Sequence, residues 1–297
     1  MHLSLISLLP DAFLLPWPLP LIIIGVFGAI IGSFLNVVVH RLPRKESIVF
    51  PNSRCPACSS AIAWYDNLPL LSYLILRGRC RACGIGISIR YPAVELLTAL
   101  LYAAVTWRDG FSLALPFDLV FVSALVALIF IDAAHMLLLD VITLPGIVFA
   151  LIARFAIPYF SATPHFDDLP SLSGGILHGM PIWAISLIGA VIGGLIGGGS
   201  LWLMGWVWLK LRNKEAMGLG DVKMLFMVGA YLGWRITILT IFLGALSGSV
   251  IGVGHMLYKG DRDLQTELPF GVYLGAGAII ALLFGSRIVE WYLGQYR

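Results

Sequence analysis

Charge is what this chain has least of: Asp, Glu, Lys and Arg make up 12% of its 297 residues, against 59% hydrophobic side chains. That ratio excludes an ordinary soluble surface, because charged residues supply about a quarter of a typical globular domain. Residues 1–15 contain no Lys or Arg, which argues against a cleaved secretory leader with a basic start and predicts that the segment is retained. Cysteine is missing outside residues 55–83. An HExxH pair is also missing, so a membrane-embedded zinc hydrolase of that kind lacks its ligands. The glycine-rich stretch at residues 189–199 lies inside an apolar run. Close packing of helices through small residues explains it better than phosphate binding does.

The chain does have long hydrophobic runs. They fall at residues 19–39, 92–107, 112–131, 141–161, 182–209, 222–234, 236–257 and 271–286, most of them near the ~20 residues that cross a bilayer as a helix. The pattern predicts an all-α polytopic membrane protein of about eight transmembrane helices, the second and sixth short and the fifth long. It divides the chain into an N-terminal region with the first helix at 1–39, a loop domain at 40–91 and a transmembrane domain at 92–297.

The positions of the basic residues orient these helices, since Lys and Arg accumulate in short cytoplasmic loops. Arg41, Arg44, Lys45, Arg54, Arg77, Arg79, Arg81 and Arg90 lie in the first long loop. Lys210, Arg212, Lys214, Lys223, Lys259 and Arg262 lie in later loops on the same side. Arg108, Arg154, Arg235, Arg287 and Arg297 are left for the opposite side. With eight crossings, both termini then face away from the cytoplasm. This topology accounts for the net charge of +3, so a nucleic-acid partner is not expected.

The four cysteines form two pairs, Cys55 with Cys58 and Cys80 with Cys83, in that first cytoplasmic loop. Two CxxC knuckles can wrap one tetrahedral Zn²⁺ with four thiolates, and a closed set of four leaves no position for water, which marks a structural site. A loop of this size buries little core, and metal binding substitutes for one. A pair of disulfides is the alternative, disfavoured by a reducing cytoplasm.

Two carboxylates stand at membrane boundaries. Asp132 ends the third apolar run, and Asp221 closes Gly218-Leu219-Gly220-Asp221 before the sixth. Desolvating a carboxylate at the edge of hydrocarbon is costly, so each is a functional candidate and each is the other's candidate partner. Two close carboxylates share one proton, one acting as base on a water and the other as acid, which is the chemistry of an aspartic protease. Gly218 and Gly220 would let backbone approach an extended peptide. Asp140 is expected as the N-cap of the fourth span, and Lys223 as either an interfacial anchor or a group acting on Asp221. His135 is ambiguous.

These segments together resemble the type IV prepilin peptidases. The likeness rests on Gly32-Ser33-Phe34-Leu35-Asn36 running to His40-Arg41-Leu42-Pro43, the two CxxC pairs, Trp64-Tyr65-Asp66-Asn67-Leu68-Pro69, Arg90-Tyr91-Pro92 with Glu95, Ile131-Asp132, Gly218 to Asp221, and Pro269-Phe270-Gly271. It covers nearly the whole chain. The resemblance implies an inner-membrane aspartic endopeptidase with Asp132 and Asp221 as catalytic residues. Its substrates would be prepilins and pseudopilins, whose basic leaders are removed at the cytoplasmic face. It also implies N-methylation of the new terminus with S-adenosylmethionine. No residue is assigned to the methyl donor, although the cytoplasmic loop and Glu95 are candidates; the plainer role for Glu95 is a buried hydrogen-bond partner of a neighbouring helix. The chain departs from the family in reading Leu138-Leu139-Asp140, where a proline usually precedes the second acid. From other classes, a transporter also pairs intramembrane acids, but it would place them near mid-membrane between related halves. A scaffold without chemistry would leave the paired acids unexplained.

Overall fold

In the computed structural model, residues 18–161, 165–174, 177, 179–213, 218–259 and 269–295 are described. The N-terminal segment 1–15, Lys214, Arg262 and Arg297 lie outside them. The helices are α1 (Leu19–Arg41), α2 (Leu71–Ile75), α3 (Arg90–Asp109), α4 (Leu115–His135), α5 (Asp140–Phe160), α6 (Leu169–Ser173), α7 (Ile182–Arg212), α8 (Leu219–Leu232), α9 (Trp234–Lys259) and α10 (Phe270–Gly294). The protein is an all-α polytopic membrane protein. Among the described residues six helices, α1, α4, α5, α7, α9 and α10, are long and apolar enough to cross a bilayer. The two segments expected to be short are α3, of 20 residues, and α8, of 14 residues. At 1.5 Å per residue α8 is only about 21 Å long.

Lipid-facing stripes follow from the apolar periodicity. On α1, Ile22, Ile23, Val26, Phe27, Ile30 and Phe34 are all exposed, three or four residues apart on one side of the helix. Phe242, Leu246 and Val250 repeat the pattern on α9. In water such patches would drive association; in a bilayer they contact acyl chains.

The chain divides into two compact units, residues 1–34 with 53–110, and residues 35–52 with 111–297. In the first, α1 lies against α3 through glycines. A Cβ on Gly28 would stand 2.8 Å from Tyr102 Cβ, and one on Gly32 would stand 2.7 Å from Glu95 Cα. The glycine that opens the Gly32-Ser33-Phe34 segment is therefore a packing residue.

In the second unit α7 packs on α8, α5 and α9, while α10 packs on α9 and α4. Leu125, Leu128, Ile131, Met224, Leu225 and Leu274 are fully buried between these helices. The glycines at 189–199 act as the sequence predicts. A side chain at Gly193 would strike the Gly229 carbonyl, and one on Gly197 would stand 2.5 Å from the Leu225 carbonyl oxygen. α7 and α8 thus touch backbone to backbone, so Gly229→Leu is expected to cost about 1–3 kcal/mol or more from overpacking. The thermal midpoint of the purified variant in detergent checks this, and an unchanged midpoint contradicts it.

Candidate functional site

The last turn of α4 and the first turns of α5, α8 and α10 meet at one end of the second unit. Asp132, three residues before the end of α4, is buried. Its Oδ2 accepts the Val272 N–H at 3.0 Å, and the carboxylate also accepts the Gly271 N–H. Both donors belong to the first turn of α10. First-turn N–H groups have no partner inside their own helix, and the positive end of a helix dipole attracts an anion. Asp132 therefore caps α10 from another helix. Its approach requires the glycine of Pro269-Phe270-Gly271, because a Cβ on Gly271 would stand 2.8 Å from Asp132 Oδ2.

Asp221 lies in the first turn of α8, half-buried, and close enough to Asp132 for the two charges to interact. Among the described residues no donor is hydrogen-bonded to its carboxylate. A Cβ on Gly218 would stand in ordinary contact, 3.6 Å from Asp221 Oδ2, whereas one on Gly220 would stand 2.8 Å from Leu138 Cβ. That glycine seats α8 on the segment between α4 and α5.

The two other charged candidates pair with each other. Lys223 Nζ bonds both oxygens of Asp140 at 2.8 Å. Asp140 is the first residue of α5 and Leu139 takes the N-cap position, which corrects the expected N-cap. The carboxylate faces Lys223 instead because α8 brings an ammonium across to it. The pair is exposed enough to contribute little stability. His135 ends α4, partly exposed.

At the other end of the unit lies a buried polar group that sequence reasoning missed. Arg154 and Asp168 are both 0% exposed and bonded at 2.7 Å. Arg154 Nε also donates to the carbonyls of Ala230 and Tyr231 at 3.2 and 3.0 Å, capping the C-terminus of α8, and its guanidinium lies 4.0 Å from the Phe166 ring centroid. Gly233, at φ +83°, must be glycine for this pair to fit, since a Cβ would stand 2.5 Å from Arg154 Nη2. Beside it Tyr231 donates to buried Asp118 at 2.7 Å, and His165 Nε2 lies 3.2 Å from the same carboxylate. Arg154 is thus a core residue, and it drops out of the count of loop cations used for orientation.

In the first unit the four cysteines come together, with their Sγ atoms all within 4.8 Å of one another. The chain does this twice in the same way. In Arg54-Cys55-Pro56-Ala57-Cys58-Ser59 the Ser59 N–H returns to the Cys55 carbonyl at 2.9 Å; in Arg79-Cys80-Arg81-Ala82-Cys83-Gly84 the Gly84 N–H returns to the Cys80 carbonyl at 2.9 Å. Ser59 and Gly84 both take left-handed φ, +57° and +72°, and bridges Arg54–Ala61 and Arg79–Gly86 flank the two knuckles. All four cysteines are free thiols. Hydrogen bonding from Ser60 pulls Cys58 down to about 6, and the N–H groups of Cys83 and Ala82 lower Cys80, whereas, against an Ile85 N–H that favours its thiolate, burial and the neighbouring thiols push Cys83 up to about 11; four sulfurs this close could hold a metal ion. Asp66, of the Trp64 to Pro69 segment, ties that segment to the second knuckle with two bonds from Arg81 at 2.8 and 2.6 Å, which hold its carboxyl below its ordinary range. Glu95 accepts the Leu70 N–H at 2.8 Å and a bond from Ser33. This is the plainer of its two expected roles: it fixes Leu70, whose φ is +61°, against α3.

Two acids close enough to interact at the ends of packed helices, and, in the other unit, four thiols that could bind a metal, fit a membrane-embedded hydrolase. Residues 26–109 match the model of the bacterial peptidase A24 N-terminal domain, and residues 119–253 match that of the type IV leader peptidase family. The chain is 39% identical over 289 aligned positions to a prepilin leader peptidase/N-methyltransferase of Pseudomonas aeruginosa, with 90% of this chain and 91% of that one covered. Proteins of the same description match from Aeromonas hydrophila, at 38% identity over 95% of this chain and 96% of that one, and from Myxococcus xanthus, at 40% over 84% and 67%. No solved structure matches at a significant level. The chain belongs to the type IV leader peptidase family.

Proposed function

We propose that this protein is an aspartic endopeptidase of the bacterial inner membrane that removes the basic leader from type IV prepilins and pseudopilins at the cytoplasmic face. It also methylates the new N-terminal amine with S-adenosylmethionine. The observation that carries the peptidase reading is the approach of Asp132 on α4 to Asp221 on α8. Methylation is supported by the relatives' shared description, and the residues that hold the methyl donor are unassigned. In this reading α3 and α8 complete eight crossings. Residues 40–91 form the metal-holding loop domain and residues 92–297 the peptidase domain.

The substrate's apolar helix stays in the bilayer, while the residues to be cut unwind at the boundary where Asp132 and Asp221 stand. The carboxylates activate water and protonate the carbonyl, the division of labour expected of two acids that cannot both ionise cheaply. Incubating the purified protein with a prepilin and S-adenosylmethionine tests the whole reading. Mass spectrometry should find a mature chain shortened by its leader and heavier by one methyl group. Unprocessed prepilin at full enzyme loading would contradict it.

The metal is structural Zn²⁺, held by Cys55, Cys58, Cys80 and Cys83. The Cys55 and Cys83 sulfurs are 3.8 Å apart; Zn–S bonds of 2.3 Å in a tetrahedron put neighbouring sulfurs about 3.8 Å apart, whereas a disulfide needs about 2.05 Å. The zinc would clamp the two knuckles where a small loop has little core. One zinc per chain by elemental analysis is expected. Cys80→Ser should lose it and make residues 53–89 readily cleaved by trypsin, and a metal-free protein with an equally resistant loop would overturn the assignment.

A further inference from the structure

The two aspartates are built differently, and the difference divides their roles. We infer that Asp132 is the ionised member of the pair, the base that takes a proton from water, and that Asp221 is the protonated member, the acid. This rests on the aspartic reading above and deepens it. Asp132 is aimed at the first turn of a 25-residue helix, where two backbone N–H groups, of Gly271 and Val272, meet its carboxylate. Donors of this kind are satisfied only by an acceptor, and the dipole behind them stabilises negative charge. Protonating the bound oxygen would set O–H against N–H.

Asp221 stands at the start of a short helix and receives no hydrogen bond among the described residues. The remaining charged groups at this end do not reverse the asymmetry. Lys223 on α8 is held by Asp140 of α5, residues 270–286 of α10 carry no charge, and His135 sits on α4 itself.

The reaction balances with this assignment. Water oxygen bonds to the scissile carbonyl carbon as one of its protons passes to Asp132, and Asp221 gives its proton to the carbonyl oxygen, leaving a neutral gem-diol. Asp132 then returns its proton to the amide nitrogen as the C–N bond breaks with its electron pair on nitrogen. Asp221 regains a proton from one hydroxyl, which yields the carboxylic acid and the amine. Gly271 and Val272 are positioning residues in this scheme, since they act through Asp132.

Val272→Pro tests the assignment. Proline removes the N–H, which Asp132 shares with the Pro269 carbonyl at 3.2 Å, and is tolerated in a helix's first turn, where that N–H has no i−4 partner. The readout is kcat/KM for prepilin cleavage against pH. Losing a donor to the base should move the ascending limb about one pH unit higher, a tenfold loss on that limb, with the descending limb in place. Gly271→Ala, which crowds the carboxylate off its donors, should move the same limb. Movement of the descending limb instead, or of neither limb in both variants, overturns the assignment. Asp132→Asn and Asp221→Asn run alongside: if either of these cleaves normally, the aspartic reading fails, whereas if both are dead and the limbs stay fixed, only the assignment fails.

Discussion

Replacing either Asp132 or Asp221 by Asn reduces prepilin cleavage by about 10³-fold or more, while Asp140→Asn retains most activity. Asparagine preserves the shape and removes the titrating group, and acid–base assistance of this kind contributes ~10²–10⁴-fold. Asp140 is the informative control. It lies eight positions from Asp132, across the turn between α4 and α5, and carries the same chemistry, yet it is exposed and bound to Lys223 at 2.8 Å. Its loss breaks an exposed ion pair of ~0.2–1 kcal/mol. Cleavage in membranes with equal accumulation of each variant measures the contrast. A dead Asp140→Asn beside an active Asp132→Asn would exchange their assignments.

Arg154→Ala destabilises the protein by about 3–5 kcal/mol. The loss has little to do with the strength of the ion pair itself. Removing Arg154 leaves the Asp168 carboxylate, 0% exposed, without its counter-ion, and leaves the carbonyls of Ala230 and Tyr231 at the end of α8 without the Nε donor. A thermal midpoint lower by on the order of 10 °C in detergent is expected, with reduced accumulation in cells. Arg154→Met combined with Asp168→Leu should recover a large part of the loss, because an apolar pair of similar volume is often as stable as a buried ion pair. A single variant that melts like the wild type would show that the pair contributes nothing.

The sequence makes the helices legible because a bilayer imposes one rule, a run of apolar residues long enough to cross. α5 and α7 begin within a residue of where their apolar runs start. α4, by contrast, continues to His135, so Asp132 lies inside the last turn and not just beyond it. The cysteine knuckles are equally legible, since spacing alone identifies them. Arg154 is not legible. One cation in an apolar run has no local pattern to announce a partner, and Asp168 lies 14 positions further along the chain, at the N-cap of α6. The same holds for Asp140, which reads as a cap from its place at a helix start and is instead claimed by a lysine on α8. Pro269-Phe270-Gly271 shows a third kind of limit. The segment is recognisable as a family motif, but that its glycine makes room for a carboxylate from α4 depends on a distance no spacing encodes.

A double-mutant comparison tests the central claim, that Asp132 and Asp221 act as one catalytic unit. Single-turnover rates of prepilin cleavage would be measured for Asp132→Asn, Asp221→Asn and the double variant, each purified and folded. Groups that work as a unit are strongly non-additive, so the account predicts a double variant no slower than the slower single. A double variant slower by the product of the two single losses would mean that the carboxylates act independently, and would contradict a shared site.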